Sequence, residues 1–156
     1  MLKESKLLRA KALSSLRRAM QSFNAMDDDG RMTSVLLHLQ HSFEMLLKAA
    51  LRERGLAVFD KKTGRSLGFD KCLRLAAGHL SLSSESSGVL RAVDAMRDGE
   101  QHYLGADDEA LLYLHFRAGI TIFDDILRAV FNDSLANHLP ERVLPISPWP
   151  ALRPWL

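Results

Sequence analysis

The first 139 residues of this 156-residue chain contain no proline; all five prolines stand between positions 140 and 154. Proline inside a helix removes a backbone donor and clashes with the preceding turn. Its absence leaves the long first part free to form uninterrupted helices. The apolar residues use that freedom, because they recur at helical rather than strand spacing. Over residues 3–25 they fall at Leu7, Leu8, Leu13, Leu16, Met20 and Phe23, close to a period of about 3.6 residues. Asp27, Asp28, Asp29 and Gly30 then predict a stop and a turn. A second helix is expected from Met32 to Arg54, with Leu36, Leu39, Phe43, Leu46, Leu47 and Ala50 as its buried stripe and Gly55 as its stop.

Residues 55–69 break the pattern and read as a loop or a small hairpin around DKKTG. A short helix follows over 69–77. The serines of SLSSESSG offer several N-caps for a helix over 84–102, with Val89, Val93 and Met96 facing the core. Asp107 is the expected cap of the last long helix, 108–132. Its buried face would carry Leu112, Phe116, Ile120, Phe123, Leu127 and Val130. The fold expected is all-α: a bundle of four main helices plus a short one, occupying residues 1–135. The Pro/Trp-rich tail, 136–156, is too apolar for a plain solvated linker. It docks on the bundle, covers a partner, or begins a further region.

Composition narrows the function classes. The chain is 47% hydrophobic and 26% charged, as in ordinary soluble domains. A formal charge of +2 permits an anionic partner without demanding one. The single cysteine, Cys72, excludes an internal disulfide framework and is read as a small core residue. No apolar run is long enough for a membrane span, and the basic N-terminus lacks the apolar stretch of a signal peptide. The expected location is the cytoplasm.

Chemistry-bearing residues are few. Three arginine–histidine pairs have similar spacing: Arg31 with His38, Arg74 with His79, and Arg97 with His102. Such a pair supplies what RNA cleavage needs. Imidazole works as acid or base near neutral pH, and guanidinium clamps phosphate oxygens. No metal or cofactor is required, because the ribose 2′-OH is the nucleophile. Context separates the three pairs: Arg97 alone is followed by a polar residue, Asp98, and lies just before the last long helix. Five positions on a helix rotate by about 140°, so Arg97 and His102 converge only if the helix loosens or ends near Gly99 or a second chain contributes. Glu44 and Lys48 form an ordinary i,i+4 pair, although neighbouring apolar residues would draw the carboxylate inward. His38 and His41 read as a surface or interface pair, and Asp124 and Asp125 as solvated side chains. Lys3, Lys6, Arg9, Lys11, Arg17 and Arg18 make the first helix basic, either as a solvated face or as a surface for RNA phosphates.

The stretch RDGEQHY (97–103) resembles the Arg–polar–x–x–x–His signature of the HEPN superfamily of small helical domains. FEMLLKAAL (43–51) resembles the Glu–x–x–x–Lys helix of many members, and ERVLPIS (141–147) is similar to a segment of a HEPN-like bacterial family. The resemblance spans about residues 5–147. It implies a dimeric four-helix bundle and, for many members, a metal-independent endoribonuclease in toxin–antitoxin or phage-defence systems. Other members bind RNA or nucleotides without cutting. On this resemblance Arg97 contacts the scissile phosphate and His102 is general acid or base. Asp98 orients one of them or the substrate. Glu44 holds Arg97 or positions the site. The implied partners are RNA, a second copy of the chain, and an antitoxin or other protein. The rival expectations are a non-catalytic binding domain and a helical interaction module that works through the tail.

Overall fold

The computed structural model of the chain describes residues 1–100 and 108–139. It consists of five helices, α1 (Lys3–Phe23), α2 (Arg31–Glu53), α3 (Phe69–His79), α4 (Ser84–Glu100) and α5 (Asp108–Phe131), and a 3-10 turn over Leu135–Asn137. No strand forms among the described residues, so the fold is all-α as expected. None of the described helices is long and apolar enough to cross a membrane. The expected Asp107 cap, the last two residues of the expected helix 84–102, His102, and the tail from Pro140 onward all lie outside the described residues.

α2 is the central element and packs against each of the other four helices. Its expected stripe is correct at every position: Leu36, Leu39, Phe43, Leu46, Leu47 and Ala50 are all fully buried. The helix stops where expected. Gly55 takes a left-handed conformation (φ 90°). The Leu56 N–H then reaches the Leu51 carbonyl at 3.0 Å and the Gly55 N–H reaches Arg52 at 3.0 Å. This pairing satisfies carbonyls that a helix end otherwise leaves open.

On the other helices most expected positions are buried and single neighbours differ. On α1 Leu8, Leu13, Leu16 and Met20 are buried as expected and Ala12 and Ala19 join them, which leaves Leu7 58% exposed. On α4 Val93 and Met96 are buried as expected, Leu90 is fully buried as well, and Val89 packs against the core only partly buried. In each case the neighbour lies about 100° round the helix, which is enough to change its exposure. On α5, Leu112, Phe116, Ile120, Phe123 and Leu127 are buried as expected. Val130 is only partly covered, and Ile122 and Ile126 join the core.

The connections are built from specific bonds. Residues 56–67 turn back on themselves through a single bridge between Phe59 and Ser66. The Asp60 N–H donates to Arg65 (2.8 Å) and the Leu67 N–H to Val58 (2.9 Å). Ser83 caps α4, its hydroxyl accepting from the Ser86 N–H at 3.0 Å. At the other end of the chain, Asp124 is not a solvated side chain as expected. Its carboxylate accepts from the Leu135 N–H (2.9 Å) and from Arg128 (2.8 Å), so it holds the segment after α5 in place. Asp125 is exposed, as expected. Cys72 is wholly buried; burial pushes its thiol pKa up to about 11 and makes it inert.

Candidate functional site

The three arginines of the Arg–His pairs have different surroundings. Arg31 is committed to the scaffold. Its guanidinium reaches Glu109 of α5 at 2.6 Å, donates to the Phe23 carbonyl at 2.9 Å, and stacks over the Phe23 ring at 4.8 Å. Arg74 pairs with Asp70 one turn earlier on its own helix, at 3.1 Å. Arg97 has no ion pair within 4 Å among the described residues, and its Nε is buried without a hydrogen-bond partner. A buried guanidinium N–H left open is costly, so a native structure rarely keeps one without a use for it.

Arg97 sits on a polar face of α4 that meets α2. Asp94, Arg97 and Asp98 are spaced i, i+3 and i+4, so they share one side of the helix. Across from them α2 presents Gln40 and Glu44, again one turn apart. The two helices are joined by the Gln40 side-chain amide, which donates to Asp94 Oδ1 at 3.3 Å. Asp94 is where the local charges converge. Burial and then the Asp98 charge raise its pKa above the usual carboxylate range. The Gln40 hydrogen bond and Arg97 pull it down, and Glu44 adds a smaller upward push. Asp94 thus feels two other carboxylates, Asp98 and Glu44, and one guanidinium, Arg97.

Of the expected site residues, the structure brings Arg97, Asp98 and Glu44 to one α2–α4 junction. α4 runs helically through Gly99 and its last described residue is Glu100, next to the glycine where the helix was expected to loosen or end. Glu44 does not hold Arg97. Its hydrogen bond is to Lys48, whose ammonium donates to Glu44 Oε1 at 2.8 Å and to Ser66 Oγ at 3.0 Å. Lys48 is 2% exposed, so the pair is not the ordinary surface contact expected from i,i+4 spacing. It ties α2 to the turn that carries Ser66.

Sequence reasoning passed over Gln40 and Asp94. The available signal was the Asp94–Asp98 spacing one turn apart beside Arg97. Nothing local marks Gln40, because its partner is 54 residues away. His38 and His41 are a histidine pair without further ligands. Among the described residues no group of three His, Cys, Asp or Glu side chains is arranged to hold a metal ion. Burial and then the charges of Arg18 and His41 lower the His38 pKa.

Chemically, the junction leaves the Arg97 Nε–H as a donor without an acceptor among the described residues. No family model, no curated protein and no solved structure matches this chain.

Proposed function

We propose that the chain is a metal-independent endoribonuclease of HEPN type. One observation carries the reading: among the described residues, of the three arginines paired in sequence with a histidine, Arg97 alone is without an ion pair, with its Nε buried and open.

In the proposed reaction His102 takes the proton of the ribose 2′-OH. The 2′-oxygen attacks the adjacent phosphorus, the bond to the 5′-oxygen breaks, and that oxygen leaves with the proton that His102 gives back. The products carry a 2′,3′-cyclic phosphate and a 5′-hydroxyl. Arg97 holds the non-bridging oxygens as negative charge develops on them. Asp98 orients the substrate side of the site, and Glu44 acts from α2 through its bond to Lys48. The nucleophile belongs to the substrate, so the chemistry needs no metal. A homodimer and a toxin–antitoxin or phage-defence setting belong to the same proposal. Support for the dimer is apolar surface near the start of α5, where Leu111 and Leu114 are 44% and 60% exposed.

The test is incubation of wild type, Arg97→Ala and His102→Ala with RNA in EDTA. Wild type is expected to cut. Each substitution is expected to slow cleavage by roughly 100-fold or more, the scale of losing one transition-state donor or acid–base group. Equal cleavage by all three proteins would overturn the reading. RNA binding without cleavage by wild type would replace it with a non-catalytic binding domain.

A further inference from the structure

A groove of about 180 Å³ lies between the α3–α4 turn and the C-terminal half of α5. Ile122 and Ile126 are core residues that form its floor, while Leu80, Leu82 and Val130 along its walls are only partly covered. The rim is polar. Ser81 stands there in the left-handed region (φ 54°) and turns the chain from α3 toward α4. Arg54 and Asp125 complete it, and neither has an ion pair within 4 Å among the described residues. An apolar floor under polar acceptors suits an indole, whose ring needs cover and whose N–H needs a partner. An apolar cavity of about 150 Å³ already holds a benzene ring, so the groove has room for one aromatic side chain.

The chain has two tryptophans, Trp149 and Trp155, and both belong to the tail. The tail leaves the bundle close to the groove. After α5 the chain folds back along that helix. Asp124 holds the Leu135 N–H at 2.9 Å, at the level of α5 where Ile122, Asp125 and Ile126 line the groove. Leu139, the last described residue before the tail, packs against the core. Ten residues separate Leu139 from Trp149. In the extended helix that prolines favour they span up to about 31 Å. Passing round α5 needs little more than the width of a helix, about 10–12 Å. Pro148 and Pro150 fix the backbone on either side of Trp149, which lowers the entropy lost on docking. The tail also carries charges of both signs, Glu141, Arg142 and Arg153, to set against Arg54 and Asp125 at the rim.

We infer that this groove is the docking site of the chain's own tail, with the Trp149 indole over Ile122 and Ile126 and its N–H donating at the polar rim. The tail then acts as a strap across the C-terminal half of α5 and the start of α4. The inference stands apart from the cleavage reading, because none of the groove's lining residues is Arg97, Asp98 or His102.

The experiment reads tryptophan fluorescence of the full chain, in which only the tail emits as tryptophan. Trp155→Phe leaves Trp149 as the single reporter, and Trp149→Phe is its converse. Ala129→Arg is then added to each, because Ala129 is exposed at the groove and a charged arm there obstructs it. Arginine suits a helix, especially in its last turn, so this variant is expected to fold; circular dichroism checks it. Ala10→Arg, at an exposed position of α1 outside the groove, is the control. Trp149 is expected to emit to the blue of the urea-unfolded chain and to resist acrylamide. Ala129→Arg is expected to move the emission to the red and raise quenching severalfold, while Ala10→Arg changes neither. The inference is overturned if Trp149 is quenched as readily in the folded as in the unfolded chain, or if Trp155 alone is shielded. Shielding that a folded Ala129→Arg variant keeps would place the tail elsewhere and also overturns it. So does shielding that appears only at high protein concentration, which would assign the groove to the tail of a second copy.

Discussion

The Phe43 ring of α2 lies directly against Gly119 of α5: a Cβ on the glycine would stand 2.8 Å from the ring's Cζ and 3.2 Å from its Cε2. The close approach sets how deeply α5 seats on the helix that carries Gln40, Glu44 and Lys48. The ring has little room to move. It is fully buried and packs at 6.0 Å from the Phe123 ring. Gly119→Ala gains roughly 1 kcal/mol of helix propensity but overpacks the contact by about 1–3 kcal/mol. The expected net is a destabilisation of about 1 kcal/mol in urea unfolding, and a larger loss for Gly119→Val. A more stable alanine variant would show that the ring yields freely.

Lys48 is a buried ammonium that depends on Glu44 and Ser66. Lys48→Met keeps the aliphatic stem but leaves both partners open. The Glu44 side chain retains 20% exposure and can rehydrate in part. The expected cost is therefore about 1–3 kcal/mol, below that of a fully buried broken pair. Adding Glu44→Gln to Lys48→Met should recover some of the loss. A double variant worse than the sum of the two single changes would contradict the pairing.

Asp94 should reveal its surroundings through pH. Its folded pKa is raised, first by burial and then by Asp98. A raised carboxyl pKa adds stability only below the unfolded value of about 3.9, and that contribution is lost as pH rises through the folded value. At neutral pH the buried charge is a cost. Asp94→Asn keeps an oxygen for the Gln40 amide and removes the charge. It is expected to stabilise the protein at pH 7, with the gain shrinking toward pH 4. Thermal melts of both proteins across that range measure the difference, and a loss of stability at pH 7 would contradict it.

Asp133 behaves in the opposite sense. Burial alone would raise its pKa. Hydrogen bonds from Asn137, His138 and the Ser134 N–H, with the charge of His138, override burial and bring the value down to about 2. The carboxylate also pairs with Arg9 at 3.2 Å, which joins α1 to the segment after α5. A depressed carboxyl pKa gives stability that is present above about pH 3.9 and lost as pH falls toward 2. Asp133→Asn is expected to lower stability at neutral pH and to flatten the acid limb of the stability curve. An unchanged limb would show that other carboxylates control acid unfolding.

Helical periodicity was legible because it is a local property. The six stripe positions of α2, the stop at Gly55 and the serine cap of α4 each depend on residues within a turn or two. The exposure of Leu7 beside buried Leu8, and the fuller burial of Leu90 beside Val89, mark the limit of that signal. Two adjacent apolar residues compete for one face, and the partner helix decides between them. The candidate site was legible only in part. Arg97, Asp98 and Glu44 could be named from residue type and spacing, whereas Gln40, Asp94 and the role of Lys48 could not.

By itself, the sequence determined where helices run and stop, through proline placement, apolar period and capping residues. These act through backbone bonds a few residues long. Only the tertiary structure decided which charges are neutralised. Arg31 finds Glu109, 78 residues away, and Arg9 finds Asp133, 124 residues away, while Arg97 is left with its Nε open. The physical reason is that an ion pair depends on separation in space and on burial. Both are set when whole helices pack, after local preferences have been spent.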